Sequence, residues 1–253
     1  MRILLTNDDG YRAPGINATY NALIEAGHDV TIVAPELNSS GAGQSIAVYM
    51  PISITKVAER IYFVTSTPAD SVRLGLQVVY KHVENYPDLI ISGINLGENL
   101  AEDTLYSGTV GAAREAVVHG VPGLAFSTPG PKYNHLDSAA KVVVDLVAKL
   151  QQNSSLLAEP FVWNINIPNL KYEEIDGYEA TELGMRQPHK PMEKQTTPRG
   201  DVIYWQGAVG AIKDPAIGTD LDVFLKGKKV SITPIEIFAT NYSHIPVVTA
   251  LTI

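Results

Sequence analysis

The chain has 253 residues and no cysteine, which excludes disulfides and thiolate metal sites and leaves oxygen or imidazole for any metal. Its 45% hydrophobic content against 18% charged residues suffices for a sizeable core, in one domain or one domain with an appendage. A net charge of −8 argues against nucleic-acid binding, yet leaves room for a small anionic substrate whose charge is neutralised locally.

Residues 2–6, RILLT, predict a short apolar strand that breaks into NDDG. The adjacent carboxylates Asp8 and Asp9 disfavour each other's ionisation unless a cation or dense hydrogen bonding compensates them. Asn, Asp and Gly are also ordinary turn residues, so this stretch alone reads equally as a polar turn or as a metal site. These polar residues interrupt the apolar run too early for a secretion signal, and no segment reaches the roughly 20 apolar residues of a membrane span. The expectation is a soluble cytoplasmic protein without membrane attachment, in which the sequon at Asn17 is a chance match.

In 15–26, Ile16, Tyr20, Leu23 and Ile24 recur at helical spacing, with Gly27 as the stop. A second strand (29–34) leads into the loop ELNSSGAGQS, and a third spans 61–66. STPADSVRLGLQVVY predicts a helix capped by Thr67, with Pro68 as first residue and Asp70 in the first turn. Then come a strand (88–94), the helix GTVGAAREAVVHG ending at Gly120, a strand (122–128), the amphipathic LDSAAKVVVDLVAKLQQ and a strand (161–167). Such alternation implies right-handed crossovers and an α/β fold: a Rossmann-like, doubly wound, mostly parallel sheet over residues 1–168.

After Pro168 the texture becomes polar and punctuated, helical periodicity is lost, and VIYWQG and VSITPIEIFATN read as strands. Residues 169–253 are expected to form a β-rich C-terminal extension of the same structural unit, ending in a strand at VVTALTI. Its hairpins are expected to reach another subunit.

Ligands of open α/β sheets bind beyond the carboxyl ends of the strands, where strand order reverses. With the common order 3-2-1-4, NDDG and INLGEN face each other across that crevice, and ELNSSGAGQS borders it. Carboxylate, hydroxyl and carboxamide converge there, as a hard cation such as Mg²⁺ or Mn²⁺ prefers. A dinucleotide site fits poorly, because no G-x-G-x-x-G follows the first strand. Ser107, Gly108 and Thr109 open a helix whose free amides suit phosphate, although an isolated Ser-Gly-Thr is more often a plain N-cap.

LLTNDDG, APELNSSGAGQS, TPADSV, ISGINLGENL, YSGTVGAAREA and SITPI together resemble the SurE family of survival proteins, in order from residue 1 to about 237. The resemblance implies a Rossmann-like core, a projecting or swapped C-terminal β-region, and homodimers or homotetramers. It also implies a 5'/3'-nucleotidase that releases phosphate from nucleoside monophosphates with one divalent metal per subunit. Carried over by motif, the metal ligands are Asp8, Asp9, Ser40 and Asn95, with Asp8 and Asp9 the catalytic pair. Substrate phosphate contacts fall on Asn95, Asn99, Ser107, Gly108 and Thr109. The family loop more often carries a basic residue where this chain has Ser39, and the Ser-Gly-Ala context assigns the ligand to Ser40.

His28, His82 and His119 lie at element boundaries and read as surface or capping groups. His189, in RQPHKP, is a candidate for a mobile arm over the site. Asp103 reads as a solvated loop acid, and Tyr204 and Trp205 as strand or interface aromatics. Two rival classes, a nucleotide-sugar glycosyltransferase and a noncatalytic nucleotide-binding protein, want respectively a glycine-rich first turn with a second α/β domain, and no metal site.

Overall fold

The apolar run RILLT becomes β1 (Arg2–Thr6), in a computed structural model that describes residues 1–130 and 133–251. Ile3, Leu4 and Leu5 are fully buried, as a central strand covered on both faces requires. Next come α1 (Pro14–Glu25), β2 (Asp29–Pro35), β3 (Ile54–Ala58), β4 (Ile61–Val64) and α2 (Pro68–Leu74). The chain continues with β5 (Leu89–Leu96), α3 (Asp103–Tyr106), α4 (Gly108–Val118), β6 (Gly123–Thr128), α5 (Leu136–Gln152) and β7 (Val162–Asn166). The rest comprises β8 (Tyr178–Ala180), β9 (Glu193–Thr196), β10 (Val202–Trp205), α6 (Asp220–Lys226), β11 (Val230–Ile235) and α7 (Ile245–Leu251).

Among the described residues nine strands form one sheet, in the order β3-β4-β2-β1-β5-β6-β7-β11-β8. The run from β4 to β7 is parallel throughout, and within it β4-β2-β1-β5 is the expected 3-2-1-4 arrangement. Helices α1 and α5 pack on one face around Ile16, Leu23, Val143 and Phe126. On the other face α2 and α4 cover Leu4, Val33 and Ile90. Each of these buried side chains contributes roughly 1.5–3 kcal/mol by leaving water. The fold is therefore the α/β, doubly wound, mostly parallel architecture that the strand–helix alternation predicts.

Thr67 caps α2 by accepting the N–H of Asp70 at 3.2 Å, with Pro68 next in line. That helix ends sooner than its sequence suggests. After Leu74 the coil widens, and the Lys81 N–H reaches back five residues to the Leu76 carbonyl.

The C-terminal third departs furthest from expectation. Residues 220–226 are helical, started by the Thr219 hydroxyl accepting Asp222 N–H and stopped by Gly227 at φ +68°. The VVTALTI end is not a strand over its described part, because Ile245–Leu251 is α7. β11 is not a free hairpin either: it inserts antiparallel beside β7 and carries β8 at the sheet edge. Among the described strands only β9 and β10 stand apart, as a two-stranded antiparallel arm. Among the described residues no helix is long and apolar enough to cross a membrane.

Candidate active site

Where β1 ends, the Asn7 side chain closes the turn on itself, donating to the Gly10 carbonyl at 3.0 Å and accepting the Gly10 N–H at 3.2 Å. Gly10 takes φ +103°, which a residue with a side chain seldom adopts. Asp8 is buried at the crest of this turn and Asp9 half-buried beside it. The crest lies between β1 and β5, where the chain reverses its direction of travel across the sheet.

Three further segments meet the acid pair. From the loop after β2, the Ser39 N–H donates to the Asp8 carbonyl at 2.7 Å, and the Asn38 carboxamide donates to Asp9 Oδ1 at 3.2 Å. From the end of β5, the Leu96 N–H reaches Asp9 Oδ2 at 3.4 Å, next to Asn95. From the start of α4, the Thr109 hydroxyl donates to Asp8 Oδ1 at 2.6 Å. Gly108 passes so close that a Cβ there would lie 2.8 Å from the Asp8 Cβ. The loops that sequence reasoning sends to one crevice do converge in it.

Burial pushes the Asp8 carboxyl above the usual carboxylate range, and the Asp9 charge adds to the rise, against the Thr109 hydroxyl that lowers it. Burial raises Asp9 too, opposed by the Leu96 N–H. Among the described residues no Lys, Arg or His forms an ion pair with either. A buried and a half-buried carboxyl with only neutral partners leave negative charge uncompensated, which is what a bound cation removes.

Among the described residues no three His, Cys, Asp or Glu side chains share a metal-binding position, so a cation here needs neutral oxygens beside the two carboxylates. They are available. Asn95 donates its Nδ2–H to the Gly97 carbonyl at 2.7 Å, which leaves its Oδ1 lone pairs free. Ser40 is exposed and uses its N–H on Asn38 Oδ1, leaving its hydroxyl free, whereas the Ser39 hydroxyl donates to the Leu37 carbonyl at 3.3 Å. Carboxylate, hydroxyl and carboxamide oxygens form the donor set of a hard divalent ion, so the residues fit Mg²⁺ or Mn²⁺.

The helix start is more occupied than its sequence suggests. Ser107 Oγ caps α4 by accepting the Val110 N–H at 3.1 Å, and Thr109 is committed to Asp8. The Gly108 N–H and the Ser107 hydroxyl proton remain for an anion. Asn99 is buried in an amide network that sequence reasoning missed. Its N–H donates to Asn166 at 2.9 Å, its carbonyl accepts from Asn164 and Asn166, and its carboxamide donates to Ser127 at 2.7 Å. Ser127 pairs in register with Asn95, which links this network to the crevice. The signal lay in polar residues occurring where β7, WNIN, should be wholly apolar.

Asp103 is not a solvated loop acid: it accepts from the Arg186 guanidinium at 2.8 Å. His189 is exposed on the segment leading into the β9–β10 arm, and among the described residues no side-chain hydrogen bond ties it to the crevice. Tyr204 and Trp205 are strand residues of that arm, as expected, and both are exposed. A cavity of about 190 Å³ between β7, β11 and α6 includes Asn166 but neither Asp8 nor Asp9.

The doubly wound, mostly parallel sheet, with its acid pair at the switch point and a capped helix start beside it, defines an α/β protein of Rossmann-like architecture. The SurE family profile, described as survival protein SurE, matches residues 3–190. The crystal structure of the SurE protein from Aquifex aeolicus is 40% identical to this chain, covers 100% of both chains and superposes with a TM-score of 0.82. The chain belongs to the SurE family, a family of nucleotidases and phosphatases.

Proposed function

We propose that the protein is a metal-dependent phosphomonoesterase that hydrolyses nucleoside monophosphates to nucleoside and phosphate, a 5'/3'-nucleotidase with one Mg²⁺ or Mn²⁺ per subunit. The observation that carries it is the acid pair, Asp8 buried and Asp9 half-buried, without a cationic partner and beside a helix start with an unspent N–H. Asp8, Asp9, Ser40 and Asn95 would hold the cation, which supplies Lewis-acid stabilisation of charge on a phosphoryl group.

The chain's own contribution follows from the contacts above. Thr109 fixes the Asp8 carboxylate through Oδ1, so its other oxygen keeps one orientation. Asn38 does the same for Asp9. The Gly108 N–H and Ser107 hydroxyl, at the positive end of the α4 dipole, grip non-bridging phosphoryl oxygens and stabilise the charge there. Asn95, at the end of β5, is the phosphate contact on the far side of the acid pair, whereas Asn99 acts behind it, its N–H, carbonyl and carboxamide N–H being spent on Asn164, Asn166 and Ser127. Either carboxylate is suited to orient the attacking water. A covalent aspartyl route would want an Asp-x-Asp spacing that NDDG does not have.

The same reading has the protein working as a homodimer or homotetramer, since the arm exposes Tyr204 and Trp205, the segment before α7 exposes Phe238, and α7 exposes Leu251. The test is phosphate release from a panel of 5'- and 3'-nucleoside monophosphates and simple phosphomonoesters, with Mn²⁺ and after chelation. Release from nucleotides well above the simple esters, only with metal, is expected. Equal rates on all esters would leave a general phosphatase, and no release from any would refute the reading.

A further inference from the structure

Residues 99–106 run from the buried amide network to the start of α4, and their outer side is held by groups outside the crevice. Ala101, at φ +50°, occupies the left-handed region that non-glycine residues seldom adopt. Its N–H donates to the buried Asp220 carboxylate at 2.8 Å, which also accepts the N–H groups of Gly184 at 2.7 Å and Leu221 at 2.8 Å. Two residues after Gly184, the Arg186 N–H donates to both oxygens of Glu102 at 3.2 Å. Its guanidinium donates to Asp103 at 2.8 Å.

The Arg186 side chain is only 6% exposed, and its Nε has no partner among the described residues. Burying a guanidinium this far is costly, and a surface loop could be tied down without it. Its partner leads directly to the crevice. Asp103 accepts the Leu100 N–H at 3.3 Å through its side chain, and its carbonyl accepts the Ser107 N–H at 2.9 Å. Ser107 caps α4, and Thr109 two residues later holds Asp8. In the other direction Arg186 is the foot of the arm, because the Gln187 N–H donates to the Ala211 carbonyl at 3.1 Å.

We propose that Arg186, acting through Asp103, is a positioning residue that sets the orientation of the Ser107–Thr109 turn and transmits the placement of the β9–β10 arm to it. Loosening the pair lets the turn drift, which weakens the grip on phosphate in ground and transition states alike and so raises KM more than it lowers kcat. The proposal rests on the phosphomonoesterase reading for its kinetic arm only.

The test compares the full-length protein with Arg186→Lys, Arg186→Gln and Asp103→Asn in excess Mn²⁺. Inorganic phosphate is titrated by calorimetry, nucleoside monophosphate kinetics are measured alongside, and thermal unfolding checks folding. Phosphate dissociation constant and KM are expected to rise about tenfold in the Gln and Asn variants, with kcat within about threefold and Arg186→Lys in between. If Arg186→Gln does not fold, the milder Asp103→Asn, whose carboxamide still accepts the Leu100 N–H, decides alone. Folded variants that bind phosphate as wild type does, with only a lowered melting temperature, would overturn the proposal. Should wild type hydrolyse no nucleotide, the phosphate titration still decides whether Arg186 positions the turn.

Discussion

Burial is the chief liability of both Asp8 and Asp9, with the Asp9 charge adding to it at Asp8. A carboxyl raised by burial keeps its proton longer in the folded chain than in the unfolded one. From the ordinary value of 3.8 up to the raised native value the folded state therefore binds more protons, so stability falls as pH rises through that window and the cost persists above it. Asp9→Asn removes one charge from the pair. Without metal, the variant's stability relative to wild type should improve as pH rises above about 4, and excess Mn²⁺ should reverse the ranking. Thermal melts at pH 4 and 7, with and without Mn²⁺, check both signs, and a pH-independent difference would return the pair to a polar turn. Thr109→Val strips the hydroxyl that aims Asp8, and metal affinity should drop about 10- to 100-fold, as for other groups that orient a ligand. Thr109→Ser should retain most of it. Ser40→Ala should weaken Mn²⁺ binding in the same titration while Ser39→Ala changes little, because only the Ser40 hydroxyl is unspent.

Between elements, the loop after β2 reaches the acid pair only because α4 lets it approach. A Cβ on Gly111 would overlap the Gly43 carbonyl, while the Gly43 N–H donates to the Tyr106 carbonyl at 2.8 Å and Gln44 donates to the buried Glu115 at 2.9 Å. Gly111→Ala gains helix propensity of up to about 1 kcal/mol yet must displace a backbone carbonyl. It should therefore lower Mn²⁺ affinity although it touches no ligand, as calorimetry would register. The parallel order around β1 was legible in the sequence because near-continuous apolar strands alternate with capped helices, and the site followed from where such sheets bind ligands. The polar residues of β7 were a visible signal of some buried network, but its partners, like the Asp103–Arg186 pair, were not legible, since they join residues 65 or more positions apart and local periodicity carries no such information. α6 was missed for a different reason: seven residues are too few to establish a helical period.

For the molecule as a whole, the antiparallel insertion of β11 beside β7 changes what truncation means. Ending the chain near residue 168 would strip the β7 edge and remove Arg186, so an aggregating, weakly active core is expected. Deleting residues 188–210 alone spares that ladder and should yield a soluble protein with fewer subunits per particle by light scattering, if the exposed aromatics of the arm join subunits; an unchanged number of subunits would leave assembly to α7 and its approach. Whether the acid pair is a metal site serving phosphate ester hydrolysis is tested most directly by one titration. Chelator-treated protein receives Mn²⁺ while binding and phosphate release from a nucleoside monophosphate are followed together. Activity is expected to rise in step with occupancy of one site per chain, and Asp9→Asn to lose both. Full activity with metal verified absent, or metal binding in the variant indistinguishable from wild type, would contradict the assignment.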